Sequence, residues 1–148
     1  MSEQSGSSGV VLKYTVSPDD FTRAGEASSK VKNILKQMGI SPDVIRKVSI
    51  AMYEGEINMV IHARGGDITV TITPQEILMV LKDVGPGIED VEKAMKAGYS
   101  TAPEQVRALG FGAGMGLPNM QSCTDEMKVE TEIGVGTTIT MSVHIEDK

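Results

Sequence analysis

The sequence predicts an α/β (α+β) fold, a two-layer sandwich in which helices cover one face of a mixed, mostly antiparallel sheet. Two observations lead there. Two consecutive stretches near the N-terminus place apolar residues at helical spacing, and two later pairs of β-branched runs are each joined by a short turn. The expected order, β-α-α-β-β-α-loop-α-β-β, has mostly antiparallel connections, and amphipathic helices can bury their stripes only against one face of such a sheet.

Taken in order, residues 1–9 are rich in Ser and Gly with nothing to bury, which predicts a disordered tail ahead of one domain over 10–148. Val10 to Val16 alternates enough to make a first strand. Ser17-Pro18-Asp19-Asp20 offers an N-cap with proline at the first helical position, and Phe21, Ala24, Ala27, Val31, Leu35 and Met38 recur at helical spacing up to Gly39. Ser41-Pro42-Asp43 repeats that signal for a second helix through Val44, Val48, Ala51, Met52, Ile57 and Ile61 to about Ala63. Gly65-Gly66 ends it. Asp67 to Thr73 and Glu76 to Lys82 flank Pro74-Gln75 as a hairpin, and Ile88 to Ala97 reads as a short helix. The next stretch, Gly98 to Gly114, holds four glycines and a proline in seventeen residues, and a loop of that length in a compact domain is usually functional. Leu117 to about Thr124 should be helical, and Glu126 to Thr131 with Thr137 to Ile145 should close the chain as a hairpin around Gly134-Val135-Gly136.

The net charge of -6 argues against nucleic acid or an anionic membrane surface as partner, since both need a concentrated basic field. No apolar run approaches the roughly 20 residues that span a bilayer, and the N-terminus lacks the layout of a secretory signal, so a cytoplasmic location is expected. The single cysteine, Cys123, cannot form an internal disulfide or a zinc cluster and is expected as a small buried side chain. With 3% aromatic residues and ten methionines, the core must be aliphatic and thioether.

Three short patterns carry chemistry. Glu54 and Asn58 stand four apart on the second helix, so both side chains leave one face; Gly55 between them keeps that surface open. Glu56, about 200° around the helix from Glu54, should face away. An Asn carbonyl suits Mg²⁺, and a Glu carboxylate near a phosphate could accept a proton from an attacking hydroxyl. The second pattern is Asp83-Val84-Gly85-Pro86-Gly87 at the end of an apolar strand, where an acidic acceptor can meet an exocyclic amine such as that of adenine. The third, Gly110-Phe111-Gly112-Ala113-Gly114-Met115-Gly116-Leu117, can aim backbone N–H groups at phosphates from the start of a helix. No Gly-Lys-Ser/Thr follows it, so it is not a Walker loop, and no strand runs directly into it as in a dinucleotide fold.

In order and spacing these patterns resemble the N box, the first glycine box and the second glycine box of the GHKL family of ATP-binding domains, over about residues 10 to 145. Gly136-Thr137-Thr138 is similar to the family's closing Gly-Thr motif. The resemblance implies the Bergerat ATP-binding fold, with ATP and Mg²⁺ as cofactors. It implies Glu54 as general base, Asn58 as Mg²⁺ ligand, and Asp83 with Gly85 and Gly87 as the adenine reader supported by Thr137. Gly110, Gly112, Gly114, Met115, Gly116 and Leu117 would form the phosphate loop.

Within that family the helix-helix-hairpin opening resembles bacterial anti-sigma factors and related serine/threonine kinases. Gly98-Tyr99-Ser100-Thr101 and Arg107 resemble their ATP lid, with Ser100 and Thr101 over the phosphates and Arg107 as a phosphate contact. Gly116-Leu117-Pro118-Asn119-Met120 is closer to kinases acting on antagonist proteins than to the strict anti-sigma pattern, where proline is not usual. The implied function is a protein serine/threonine kinase that phosphorylates a STAS-type antagonist. The alternative is a non-catalytic module whose nucleotide state controls its grip on a sigma factor, and the family likeness also allows a homodimer.

Overall fold

The computed structural model describes residues 9–17, 23–62, 64–85, 87–88 and 116–145, the side chains of 61, 62 and 116 excepted. Strand β1 runs Val10–Val16, helix α1 Glu26–Gln37, helix α2 Pro42–His62, strand β2 Gly66–Ile72 and strand β3 Glu76–Asp83. Helix α3, Gly116–Ser122, then leads into β4, Glu126–Glu132, and β5, Gly136–His144. The sheet order is β1-β2-β3-β5-β4, with every neighbouring pair antiparallel. The expected helix over Ile88 to Ala97 and the loop over Gly98 to Gly114 lie outside the described residues, apart from Ile88, which is in no regular element.

Register turns the strand alternation into one continuous apolar face. Ile68 pairs with Leu81 and Leu81 with Ile139; Val70 pairs with Met79 and Met79 with Met141; Ile72 pairs with Ile77 and Ile77 with Val143. All nine are buried. Against these three rows pack Val31 and Leu35 of α1, Val48, Ala51 and Met52 of α2, and Leu117 and Met120 of α3. The fold is the two-layer α/β sandwich that the pattern predicts. Met52, Met79, Met120 and Met141 are among its fully buried side chains, as the low aromatic content requires. Cys123 is only half-buried and packs against the edge of this core.

Helix α1 departs from expectation at its start and meets it at its end. It begins at Glu26, behind Gly25 in the left-handed region at φ 95°, a residue with no side chain to cap the free N–H groups, and residues 18–22 of the expected start lie outside the described residues. The cap comes from α2 instead. The buried carboxylate of Glu56 accepts the N–H of Ala27 at 3.0 Å through Oε2 and that of Ser28 at 3.0 Å through Oε1. These are two of the four orphan donors of a helix start, and the aligned peptide dipoles there favour the negative charge. At the other end Gly39, at φ 77°, donates to the Lys36 carbonyl, and Ile40 donates to that of Leu35. This pair of bonds is a Schellman motif, which only a residue tolerant of positive φ closes without strain.

Helix α2 needs Gly55 for a reason that spacing did not expose. Gly55 is buried, and a Cβ there would run into Leu81 of β3, so its role is close approach of helix to sheet and not an open ligand surface. Replacement of Glu56 by Ala should leave the Ala27 and Ser28 donors buried and unpaired. Urea denaturation should then show a loss of about 1–3 kcal/mol.

Candidate functional site

Glu54 and Glu56, two residues apart on α2, leave different sides of the helix. Glu56 is committed to α1, whereas Glu54 is half-buried on a different side and accepts a 3.1 Å hydrogen bond at Oε2 from Nδ2 of Asn119 in α3. Asn58, one turn beyond Glu54, is also half-buried. Met59, next in the chain, reaches the corner where β2 begins: a Cβ on Gly66 would stand 2.8 Å from Met59 Cε and 2.7 Å from Asp83 Cα. The end of α2 is tied to the same corner, since Arg64 donates its N–H to the Val84 carbonyl at 2.6 Å and Val84 donates to that of Gly65 at 3.1 Å. The N-terminal turns of α3, the middle of α2 and the end of β3 are thereby brought to one region of the molecule.

Asp83 ends β3, and its Oδ1 accepts the backbone N–H of Thr137 at 2.7 Å. Burial pushes its carboxyl above the usual carboxylate range, with the Thr137 N–H pulling the other way. Contact with β5 is close here: a Cβ on Gly136 would collide with the Asp83 carbonyl oxygen. Thr137 is buried, and its hydroxyl lies 2.9 Å from that of Thr131, its cross-strand partner in β4. Thr131 in turn accepts the N–H of Ile88 at 2.8 Å. Gly85 donates its N–H to the Val135 carbonyl at 3.1 Å, and Gly87 has φ 82° with Glu132 close beside it. Gly85 and Gly87 are therefore both held against the β4–β5 hairpin, the same hairpin that holds the Asp83 carboxylate.

Among the expected site residues, Glu54, Asn58, Asp83, Gly85, Gly87 and Thr137 are brought into this framework. Leu117 is buried in the core and anchors the start of α3. Ser100, Thr101, Arg107, Gly110, Gly112, Gly114 and Met115 lie outside the described residues. Asn119 and Thr131 were not among the expected site residues. Thr131 could have been found from the hairpin register, which sets it opposite Thr137; Asn119 has no local signal pairing it with Glu54.

Asn58 offers a neutral oxygen suited to Mg²⁺, a hard cation that takes few protein ligands beside substrate phosphates. Among the described residues no three His, Cys, Asp or Glu side chains gather into a metal site, and Mg²⁺ held in that manner needs none. A separate cleft of about 230 Å³ between β1 and α1 is lined by Lys13, Arg23, Lys30 and Glu56, and by neither Glu54 nor Asp83. No helix among the described residues is long and apolar enough to cross a membrane.

Comparison with known proteins bears on this arrangement. The family described as "Histidine kinase-like ATPase domain" matches residues 17–143. An anti-sigma F factor of Clostridium acetobutylicum is 34% identical over 116 residues, covering 75% of this chain and 78% of the relative. An anti-sigma F factor of Caldanaerobacter subterraneus subsp. tengcongensis is 36% identical over 124 residues, covering 80% and 83%. Among solved structures, a mycobacterial sensor histidine kinase, MprB, superposes with a TM-score of 0.53 at 16% identity, over 94% of this chain and 100% of that one, a likeness of fold. The chain belongs to the histidine kinase-like ATPase family, the GHKL type of ATP-binding domain.

Proposed function

We propose that this ATPase-family chain is an ATP- and Mg²⁺-dependent protein serine/threonine kinase of the anti-sigma type. It would act in the cytoplasm as a switch, phosphorylating a STAS-type antagonist protein and binding a sigma factor. The observation that carries the reading is the half-buried Glu54 carboxylate, one helical turn from Asn58 and free of the capping duty that occupies Glu56. The two relatives named anti-sigma F factor support the regulatory setting.

Asp83 would accept the exocyclic amine of adenine, and the glycines from Gly110 to Gly116 would hold the phosphates with backbone N–H groups. Asn58 would hold Mg²⁺, which when bound offsets charge on the phosphate oxygens. As the acceptor's serine or threonine oxygen bonds to the γ-phosphorus, its proton passes to Glu54. The bond from that phosphorus to the bridging oxygen breaks, and ADP leaves with the electron pair. Phosphoryl transfer of this kind depends chiefly on positioning and electrostatics, which suits a site whose carboxylates are individually tied down.

Two substitutions bear on the reading. In transfer of radiolabelled γ-phosphate to a purified STAS-type antagonist protein, Glu54→Gln should lower the rate by roughly 100-fold or more. ATP affinity should stay within about a factor of three, less than ~1 kcal/mol. Undiminished transfer overturns the reading of Glu54 as proton acceptor, and no transfer by the wild type overturns the kinase reading; a wild type that transfers nothing, yet grips a sigma factor only with ATP, is a binding module. For Asp83→Asn, the lost charge-assisted bond to adenine should weaken ATP binding roughly 10- to 100-fold in calorimetry. Because the folded carboxyl titrates above its unfolded value, Asp83 costs stability as pH rises through that window, and the cost persists above it. The nucleotide-free Asp83→Asn protein should therefore unfold at an equal or higher temperature than wild type at pH 7, with its advantage disappearing near pH 3, below the unfolded value.

A further inference from the structure

The geometry points to Asn119 as a positioning residue for the Glu54 carboxylate, an inference that rests on the reading of Glu54 as the proton acceptor. The contact is specific in its chemistry. An ionised carboxylate only accepts, so the 3.1 Å bond must be donated by the Asn119 amide nitrogen, which fixes the orientation of that amide and holds Oε2 of Glu54. A glutamate side chain on a helix flank otherwise samples several rotamers, and holding one oxygen leaves the other directed by the remaining geometry.

Asn119 is itself held firmly enough to do this. Leu117 and Met120 on either side of it are buried, with Met120 fully so, and the Met120 sulfur lies beside Gly55, 3.5 Å from where a Cβ would be. The Asn119 carbonyl accepts the N–H of Cys123 at 3.2 Å and the hydroxyl of Ser122 at 3.1 Å, so its backbone is fixed in the helical turn. Asn119 also stands three residues after Gly116, the last glycine of the phosphate-loop pattern. One short helix thus continues from the expected phosphate loop and carries the amide that aims the carboxylate.

The test uses the whole chain with ATP-Mg²⁺ and water as acceptor, read as phosphate release. Water's oxygen bonds to the γ-phosphorus, its proton passes to Glu54, and ADP leaves with the electron pair of the broken bond. Asn119→Ala and the isosteric Asn119→Asp, which replaces the donor by a second carboxylate, should each lower kcat roughly 10- to 100-fold. KM and the calorimetric Kd for ATP should be unchanged, which also shows that the variants are folded. In the Glu54→Gln background neither substitution should lower the residual rate further, because the effect passes through Glu54. Three results would overturn the inference: Asn119→Asp matching wild type, a fall carried by KM instead of kcat, or an equal further fall in the Glu54→Gln background. If wild type releases no more phosphate than Glu54→Gln, the reading of Glu54 as proton acceptor fails, and this inference with it. If Glu54→Gln is slow while both Asn119 variants match wild type, only this inference fails.

Discussion

At Gly55 the second helix lies so close to the sheet that an added Cβ would run into the end of the Leu81 side chain, and the residues around it on α2 face in distinct directions. Met52 and Met59 turn to the core, Glu56 turns to α1, and Glu54 and Asn58 keep to a partly open flank. A buried carboxylate without partners would be costly, and Glu56 avoids that cost by accepting two backbone N–H groups at a helix start. The same two bonds give α1 the cap that its own sequence lacks. Glu56 thus ties α1 to α2 alongside the apolar contacts of Val31 and Leu35, while the flank that bears Glu54 and Asn58 is left for α3.

A second constraint acts at the end of β3. The Asp83 carbonyl sits against Gly136, and the Asp83 carboxylate accepts the Thr137 N–H, so the corner after β3 and the start of β5 are interlocked. Burial there makes the charged form of Asp83 unfavourable, a cost that packing does not require, because an amide of equal size would fill the space. Sites of this type trade stability for binding: a partly desolvated acceptor gains more from a ligand donor than one already satisfied by water.

Much of this could be read from the sequence because its signals were local. Ser41-Pro42 opens α2 as expected, with the Ser41 hydroxyl 3.4 Å from the Val44 N–H, and β1 spans the expected residues. Both hairpins likewise fall on the runs that predict them, within a residue or two at their ends. What escaped depended on contacts between residues far apart in the chain. The cap of α1 comes from a residue 29 positions away, which no local pattern around Glu26 announces; the expected N-cap run Pro18 to Phe21 lies outside the described residues. Gly55 reads as an open surface until Leu81 is opposite it, and Asn119 becomes notable only when α3 docks on α2, 65 residues from its partner.

These long-range contacts give the candidate site a common form. In Asp83 one carboxylate oxygen is held by the Thr137 backbone; in Glu54 one oxygen is held by the Asn119 amide. Glu56, by contrast, has both oxygens engaged and is buried. A carboxylate with both oxygens satisfied internally is a structural element, whereas one with a single oxygen tied keeps acceptor capacity in a defined direction. Among the described residues, three acidic side chains of similar chemistry thus differ in the number of donors the fold supplies to them. That difference follows from the docking of α2 and α3 and the interlock of β3 with β5, not from the identity of the residues.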